Sequence, residues 1–304
     1  MQTTISTEDI HRSVISVPPL CRDANFKSDA EENAKLIKHI ESGGVNIMLY
    51  GGNANFYNIA LSEYELVLDQ LEAAASDTTI IIPAVGPYHG FMMDQAEILS
   101  RRNFPTAMLL PTMAVSKPEG VRAAIMNLVE KTGKPAVLYI KDEGYVNIEV
   151  VKSLVDAGVI SWIKYAVVRD NPSNDPLLEA LSKEIPNELL VSGIGEQPAI
   201  IHWQKFNVQA FTSGCVCVAP RPSQKMLEAL RAGDFAKAER IREGFVPLED
   251  LRNGRGPIQV LHEAVKLSGV ANTGPHLPLL SDLDESSKSY VFDAAKSALA
   301  WNRE

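Results

Sequence analysis

Short apolar runs recur along the chain, and each is followed by a longer segment with helical spacing. Eight such runs lie at 13–19, 45–50, 79–85, 106–111, 135–140, 161–168, 188–194 and 209–218. Their apolar residues are continuous rather than alternating, which is typical of parallel strands that are covered on both faces. The segments between them, such as 28–44 and 147–158, carry apolar residues three and four apart and end in glycine, as helices do.

Eight β-α units within residues 1–222 predict an α/β fold, the (β/α)8 TIM barrel. A doubly wound open sheet is the alternative, but it usually has fewer strands, and the first β-α turn, "PPLCRDANF", lacks a Gly-rich dinucleotide fingerprint. Three helical segments without a further strand follow the last run. We therefore predict a barrel over 1–222 and a C-terminal helical region, 223–304, packed on it.

Composition narrows the class of partner. The 304 residues carry a formal net charge of -9, which argues against nucleic acid or an anionic membrane surface and favours a small-molecule substrate. Cys21, Cys215 and Cys217 have neither disulfide nor zinc spacing, so we expect reduced thiols and no metal. The polar, acidic start lacks signal-peptide features, and no run approaches the roughly 20 apolar residues of a membrane helix. We expect a soluble cytoplasmic protein.

Lys164 stands out because it interrupts the apolar sixth run, "SWIKYAVV". An ammonium buried there without a partner would cost several kcal/mol. Chemically active side chains of this barrel lie at the carboxyl ends of strands, and burial lowers a lysine pKa, which leaves a nucleophilic amine. Lys164 could form a Schiff base with a carbonyl substrate; alternatively, it reaches solvent or pairs with Asp170.

Two further features lie at strand ends on the same side of the predicted barrel as Lys164. Tyr139 closes the fifth run and could transfer protons near Lys164, or it could fill the barrel top with its ring. Gly51 and Gly52, followed by Asn53 and Asn55, could bring backbone N–H groups together around a carboxylate or phosphate. A plain tight turn explains the two glycines equally well.

Two histidines are weaker candidates. His89 lies in a loop, where a lone histidine is more often a surface residue than an acid or base. His262 lies at helical spacing among apolar neighbours, which favours packing over chemistry.

The order of several short segments resembles the family of dihydrodipicolinate synthase and N-acetylneuraminate lyase, which are Schiff-base aldolases and dehydratases that use pyruvyl compounds. These segments are "SVPPL", "GGNANFYNIALSEYE", "YIKD", "IKYAVVRD" and "SGIGE". The resemblance implies that Lys164 forms the Schiff base, that Tyr139 relays protons, and that Gly193 lies close to the adduct. It also implies that the turn of Gly51, Gly52 and Asn53 binds the substrate carboxylate. The resemblance also suggests a homotetramer. No metal or nucleotide cofactor is called for, because the lysine itself supplies the electron sink.

Departures from the family pattern bear on the substrate. Gly52 and Asn53 stand where the family has two threonines, and Asn53 could replace part of their proton relay. Thr112 and Met113 replace the tyrosine pair of a true dihydrodipicolinate synthase.

The loop after Tyr139 has no arginine but carries charged residues at 141–143, which resembles the sugar-acid branch of the family. We therefore predict a Schiff-base lyase that cleaves or dehydrates a 2-keto-3-deoxy sugar acid or a related 2-keto acid. The alternatives are condensation of pyruvate with an aldehyde, and a keto-acid-binding homologue without turnover.

Overall fold

The computed structural model describes residues 1–302, which form a closed parallel barrel surrounded by helices. The strands are β1 Ile15–Ser16, β2 Ile47–Tyr50, β3 Ile80–Val85, β4 Ala107–Leu109, β5 Ala136–Ile140, β6 Ile160–Tyr165, β7 Leu190–Ser192 and β8 Thr212–Ser213. Consecutive strands pair in parallel from β1 to β7, and β8 pairs with β1. A parallel bridge between Ser192 and Phe211 joins β7 to the start of β8 and closes the ring. The predicted TIM barrel is confirmed.

Helices alternate with the strands and then continue beyond them. They are α1 Thr7–Arg12, α2 Ala30–Ser42, α3 Leu61–Ala74, α4 His89–Leu99, α5 Pro118–Thr132, α6 Ile148–Asp156, α7 Pro176–Glu184, α8 Ala199–Phe206, α9 Pro220–Arg231, α10 Phe235–Arg255, α11 Pro257–Ser268 and α12 Glu285–Trp301. The strands are buried throughout apart from a few positions, because helices cover the outer face of the barrel and side chains fill its interior. No helix within 1–302 is both long enough and apolar enough to cross a membrane.

All eight strands are shorter than their apolar runs, and the sixth and the eighth illustrate the difference. The sixth ends at Tyr165, three residues before the predicted end. The eighth contains only Thr212 and Ser213, because the chain then turns into a 3-10 helix, Cys215–Cys217, whose second N–H donates to Ser213 Oγ at 3.0 Å. Buried loops and buried strands have the same apolar composition, so the run of hydrophobic residues does not distinguish them.

The C-terminal region differs in detail from its sequence pattern. The segment at 222–251 forms two helices, α9 and part of α10, which separate at Gly233 in the left-handed region (φ 72°). Helix α9 spans the predicted division at residue 222, and that division stays a prediction. The three cysteines are free and buried, as the composition predicts.

A pair of buried carboxyl groups joins helix α10 to the loop after β7. The backbone N–H of Glu196 donates to Glu249 Oε1 at 2.9 Å, and Ser223 Oγ donates to Glu196 Oε1 at 2.6 Å. Burial raises the pKa of both carboxyls. The neighbouring Glu196 raises the pKa of Glu249 further, whereas the hydrogen bond between them lowers the pKa of Glu196. Two adjacent buried carboxylates cannot both ionise, so the pair shares one proton, which we assign to Glu249.

We expect Glu249→Gln to stabilise the protein at alkaline pH. An unfolded Glu loses its proton near its ordinary pKa of about 4.3, whereas the folded pair keeps its proton, so stability falls as pH rises above that value. Glutamine imitates the protonated carboxyl and does not titrate. The variant should exceed the parent by on the order of 1 kcal/mol near pH 8, with a difference that shrinks toward pH 5.

Thermal unfolding across this pH range measures the effect. Glu243→Gln, on an exposed position of the same helix, is the control and should follow the parent. A Glu249→Gln protein that is less stable than the parent at every pH would show that the pair does not share a proton.

Candidate active site

Lys164 and Tyr139 lie side by side at the mouth of the barrel. The register of β5 and β6 pairs the two residues directly, so both side chains point to the same side. Lys164 Nζ lies 4.5 Å from the centroid of the Tyr139 ring. Only 7% of Lys164 is exposed, so the amine is held within the protein.

Lys164 has no carboxylate partner among residues 1–302, and Asp170 lines a neighbouring cavity instead. Burial is the main cause that lowers the pKa of Lys164, to about 7, and the positive charges of Arg252 and Lys141 lower it further. A substantial fraction of the amine is therefore uncharged at neutral pH, which is the form that attacks a carbonyl carbon. The sequence-based alternative of a Lys164–Asp170 pair is wrong.

Two tyrosines provide hydroxyl groups at the same place. Burial raises the pKa of Tyr139 to about 12, so its hydroxyl is protonated and can donate. Tyr57, in the 3-10 turn Phe56–Asn58 after β2, donates to the Pro111 carbonyl at 3.2 Å, and its pKa is raised by burial and by the nearby Tyr139. Sequence reasoning missed Tyr57, although its position in "GGNANFY" could have indicated it.

The turn after β2 offers backbone donors. The N–H groups of Asn55 and Phe56 donate to the carbonyls of Gly52 and Gly51 at 2.9 and 3.1 Å. Within the described part of the chain, the N–H groups of Gly52 and Asn53 have no acceptor, and both residues line the same cavity as Lys164. These two donors are available to an anion.

The side chain of Asn53 is bound to the residue that follows β1. Its Nδ2 donates to the carbonyl of Val17 at 3.2 Å, next to β1. Asn53 therefore anchors the turn to β1, and this hydrogen bond does not substitute for the missing hydroxyl of a proton relay.

His262 holds the same turn from helix α11. Its Nε2 lies 2.8 Å from the carbonyl oxygen of Asn53, and burial lowers its pKa to about 3, so the ring is neutral and donates through Nε2–H. His262 therefore fixes the turn through this hydrogen bond in addition to packing against its apolar neighbours. His89 is exposed at the start of α4 beside Asn127, outside the cavity.

Gly193 gives Lys164 the room it needs. Its N–H donates to the Tyr165 carbonyl at 2.6 Å. A Cβ at this position would lie 2.9 Å from Lys164 Cγ and 2.8 Å from Ala166 Cβ, closer than side chains tolerate.

One cavity of about 190 Å³ contains all the predicted site residues. It is lined by Lys164, Tyr139, Gly51, Gly52, Asn53 and Gly193. Tyr57, Lys141 and Arg252 line it too, and Arg252 had no signal in the sequence, since it lies on a helix after the barrel. A larger neighbouring cavity, of about 540 Å³, does not include Lys164. The residues meet as predicted, and their chemical roles stay predictions.

An eight-stranded parallel barrel with a buried lysine at the carboxyl ends of its strands defines the structural class. The sequence profile of the Dihydrodipicolinate synthetase family matches residues 14–298, and the chain belongs to this family.

Similar proteins within this family carry different names. A protein of Rhizobium meliloti (strain 1021), named probable 5-dehydro-4-deoxyglucarate dehydratase, is 26% identical over 85% of this chain and 88% of its own. The 4-hydroxy-tetrahydrodipicolinate synthase of Corynebacterium diphtheriae is 23% identical over 91% of each chain. The crystal structure of dihydrodipicolinate synthase from Bacillus clausii superposes with a TM-score of 0.84 at 22% identity, covering 96% of this chain and 98% of that one.

We expect Gly193→Ala to slow imine formation at Lys164 by about 10- to 100-fold, because the added methyl must displace the lysine side chain. The measurement is the rate of borohydride-trapped keto-acid adduct on the Lys164 peptide. Gly90→Ala, in α4 where a Cβ meets nothing within 4 Å, is the control and should match the parent. Equal rates in all three proteins would contradict the tight contact.

The amine of Lys164 should become reactive at an unusually low pH. Competitive labelling with an acylating reagent, followed by peptide mass spectrometry, should give half-maximal reactivity at about pH 7 for Lys164. Lys152 is the internal control, because its contact with Glu184 raises its pKa. Lys164 labelling that follows Lys152 across the pH range would mean that the lysine is charged at neutral pH.

Proposed function

We propose that the protein is a Schiff-base lyase acting on a 2-keto acid, and specifically a dehydratase of a 2-keto-3-deoxy sugar acid. The observation that carries the proposal is the buried Lys164 beside Tyr139, in a cavity that also presents the N–H groups of Gly52 and Asn53; within residues 1–302 the amine has no carboxylate partner and the two N–H groups have no acceptor. A nucleophilic amine, a proton donor and an anion site are the three groups that imine chemistry on a keto acid requires.

The first step joins Lys164 to the substrate. The uncharged Nζ attacks the C2 carbonyl carbon, and the resulting carbinolamine loses its oxygen as water after protonation by the Tyr139 hydroxyl. The C1 carboxylate accepts hydrogen bonds from the Gly52 and Asn53 N–H groups, which orients C2 toward the amine. The protonated imine then withdraws electrons from C3.

Dehydration and cleavage both follow from this imine. Loss of a C3 proton gives an enamine, which expels the C4 hydroxyl as water once that oxygen is protonated. Alternatively, removal of the C4 hydroxyl proton breaks the C3–C4 bond and releases an aldehyde. We favour dehydration because several of the relatives are named 5-dehydro-4-deoxyglucarate dehydratase.

Two other activities are less well supported. The condensation of pyruvate with an aldehyde is the reaction type of the synthase relatives, but the loop after β5 has Lys141 and no arginine to hold an aldehyde substrate's carboxylate. A binder without turnover would have no need for an amine whose pKa is lowered to about 7. A homotetramer, implied by the family resemblance, is proposed as the assembly.

Reductive trapping tests the proposal. Purified protein is incubated with pyruvate and borohydride, and peptides are mapped by mass spectrometry. We expect one reduced pyruvyl adduct, on Lys164, which is lost in Lys164→Ala and retained in Lys152→Ala.

A second measurement separates the reactions. Incubation with 2-keto-3-deoxy sugar acids should give the dehydrated keto acid without pyruvate. Release of pyruvate and an aldehyde would assign cleavage instead. Absence of any Lys164 adduct in folded protein would refute the Schiff-base function.

A further inference from the structure

The amine of Lys164 is exposed to electrophiles other than the carbonyl group of a keto acid. It is buried at the wall of a cavity of about 190 Å³, and within residues 1–302 no carboxylate pairs with it. Because part of the amine is uncharged at neutral pH, it can attack any small electrophilic carbon that enters the cavity. Carbon dioxide is the smallest such molecule that occurs in water.

The charges around the amine favour a product that is an anion. Arg252 and Lys141 line the same cavity, and the positive charge of each disfavours the ammonium form of Lys164. Neither residue forms an ion pair with a carboxylate in the described part of the chain. Glu249 lies one helical turn before Arg252, but it holds the proton of the Glu196–Glu249 pair. Two positive charges that destabilise an ammonium stabilise an anion in the same place.

The guanidinium of Arg252 has the form that a carboxylate requires. Its Nε is buried without a hydrogen-bond partner among residues 1–302. A Cβ at Gly214 would lie 2.7 Å from Arg252 Cζ and 2.8 and 2.9 Å from its two terminal nitrogens, so the planar group packs directly on the backbone after β8. A guanidinium held in this way binds a carboxylate through parallel N–H···O hydrogen bonds.

The turn after β2 adds backbone donors to the same cavity. Within residues 1–302 the N–H groups of Gly52 and Asn53 have no acceptor, and His262 fixes the turn through the Asn53 carbonyl. In a carbamate the carboxylate carbon is bonded to Lys164 Nζ itself, whereas C1 of a keto acid is one C–C bond further away, about 1.5 Å. The flexible lysine stem can absorb a shift of this size, so the donors suit either carboxylate.

We propose that carbon dioxide modifies Lys164 reversibly to a carbamate, which the cations and N–H donors of the cavity stabilise. The lone pair of Nζ forms a bond to the carbon of CO2, the electrons of one C–O π bond move onto oxygen, and the nitrogen releases one proton to water. The product carries one negative charge, and its nitrogen can no longer attack a carbonyl. The carbamate needs only the uncharged amine, whereas its inhibitory effect rests on the proposed function, since it assumes that turnover begins with an imine at Lys164.

Carbon-13 NMR detects the modification directly. In the full-length protein with ¹³C-labelled bicarbonate and CO2, we expect a carbamate resonance that Lys164→Ala lacks. Alkylation of the carbamate oxygen with a trialkyloxonium salt makes the group permanent, and peptide mass spectrometry then separates Lys164 from the α-amino group of Met1. Lys152 should remain unmodified, because its contact with Glu184 raises its pKa, and Lys152→Ala should keep the resonance.

Arg252→Gln tests the anion partner. The variant also loses a positive charge that lowers the pKa of Lys164, so the proteins are compared at about pH 9, where the amine is mostly uncharged in both, and at equal dissolved CO2. Tyr139 and Tyr57 stay protonated there, because burial raises the pKa of each. The CO2 concentration that half-saturates the carbamate should rise about 10-fold in Arg252→Gln and less in Arg252→Lys. Arg255→Gln, on an exposed position of the same helix, should match the wild type.

Borohydride trapping with pyruvate tests the inhibition. Carbon dioxide should slow the appearance of the reduced pyruvyl adduct on Lys164, whereas formate at the same concentration, which cannot form a carbamate, should slow it less. Equal slowing by formate, without a carbamate resonance, would show that bicarbonate only binds as an anion and would overturn the inference.

The two proposals fail in different ways. A protein that forms the pyruvyl adduct but no carbamate on Lys164 would refute the modification and leave the proposed function intact. A carbamate in a protein that never forms the pyruvyl adduct would refute the proposed function and leave the modification. An unchanged half-saturating CO2 concentration in Arg252→Gln would exclude Arg252 as the partner of the carbamate.

Discussion

The proposed imine chemistry depends on keeping one amine uncharged inside the barrel. Lys164 is buried with no carboxylate partner among residues 1–302, and the charged groups that act on its pKa, Arg252 and Lys141, are themselves positive. The acidic groups near the amine are both neutral. Tyr139 stays protonated and so adds no negative charge, and Glu249 is buried as a neutral acid. An ionised carboxylate in contact with the amine would raise the lysine pKa and remove the nucleophile at neutral pH.

The helices that follow the barrel form part of its mouth. Helix α10 contributes Arg252 to the cavity and is joined to the β7 loop through Glu249. Helix α11 contributes His262, which donates to the Asn53 carbonyl and so fixes the turn whose N–H groups face the cavity. The barrel alone would lack the hydrogen bond from His262 that fixes the turn after β2. It would also lack the positive charge of Arg252 at the cavity wall.

Much of the architecture was predictable because it follows from local pattern. Continuous apolar runs indicated eight buried strands, and a barrel places neighbouring strand ends together, so Lys164 and Tyr139 could be brought to one mouth without a structure. The glycines at 51 and 52 indicated an anion-binding turn by themselves, and the resemblance to a family added Gly193 as a residue close to the adduct. Where strands end was less predictable, since the apolar segment after Ser213 continues as a buried 3-10 turn.

Other parts of the site depend on contacts between distant segments. Glu196 and Glu249 are 53 residues apart, and neither has a sequence neighbour that indicates a paired acid. The polar residues of α10 do not indicate by their spacing that Arg252, rather than Arg255, faces the cavity. The sequence around His262 likewise indicates packing alone, because the acceptor of its hydrogen bond lies 209 positions earlier in the chain.

The position of Arg252 on a helix outside the barrel separates two parts of the cavity. Lys164 and Tyr139 are placed by the pairing of β5 with β6, whereas the guanidinium comes from α10, which takes no part in that pairing. A substitution in α10 can therefore change the charge of the cavity wall while the contact between the lysine and the tyrosine is preserved.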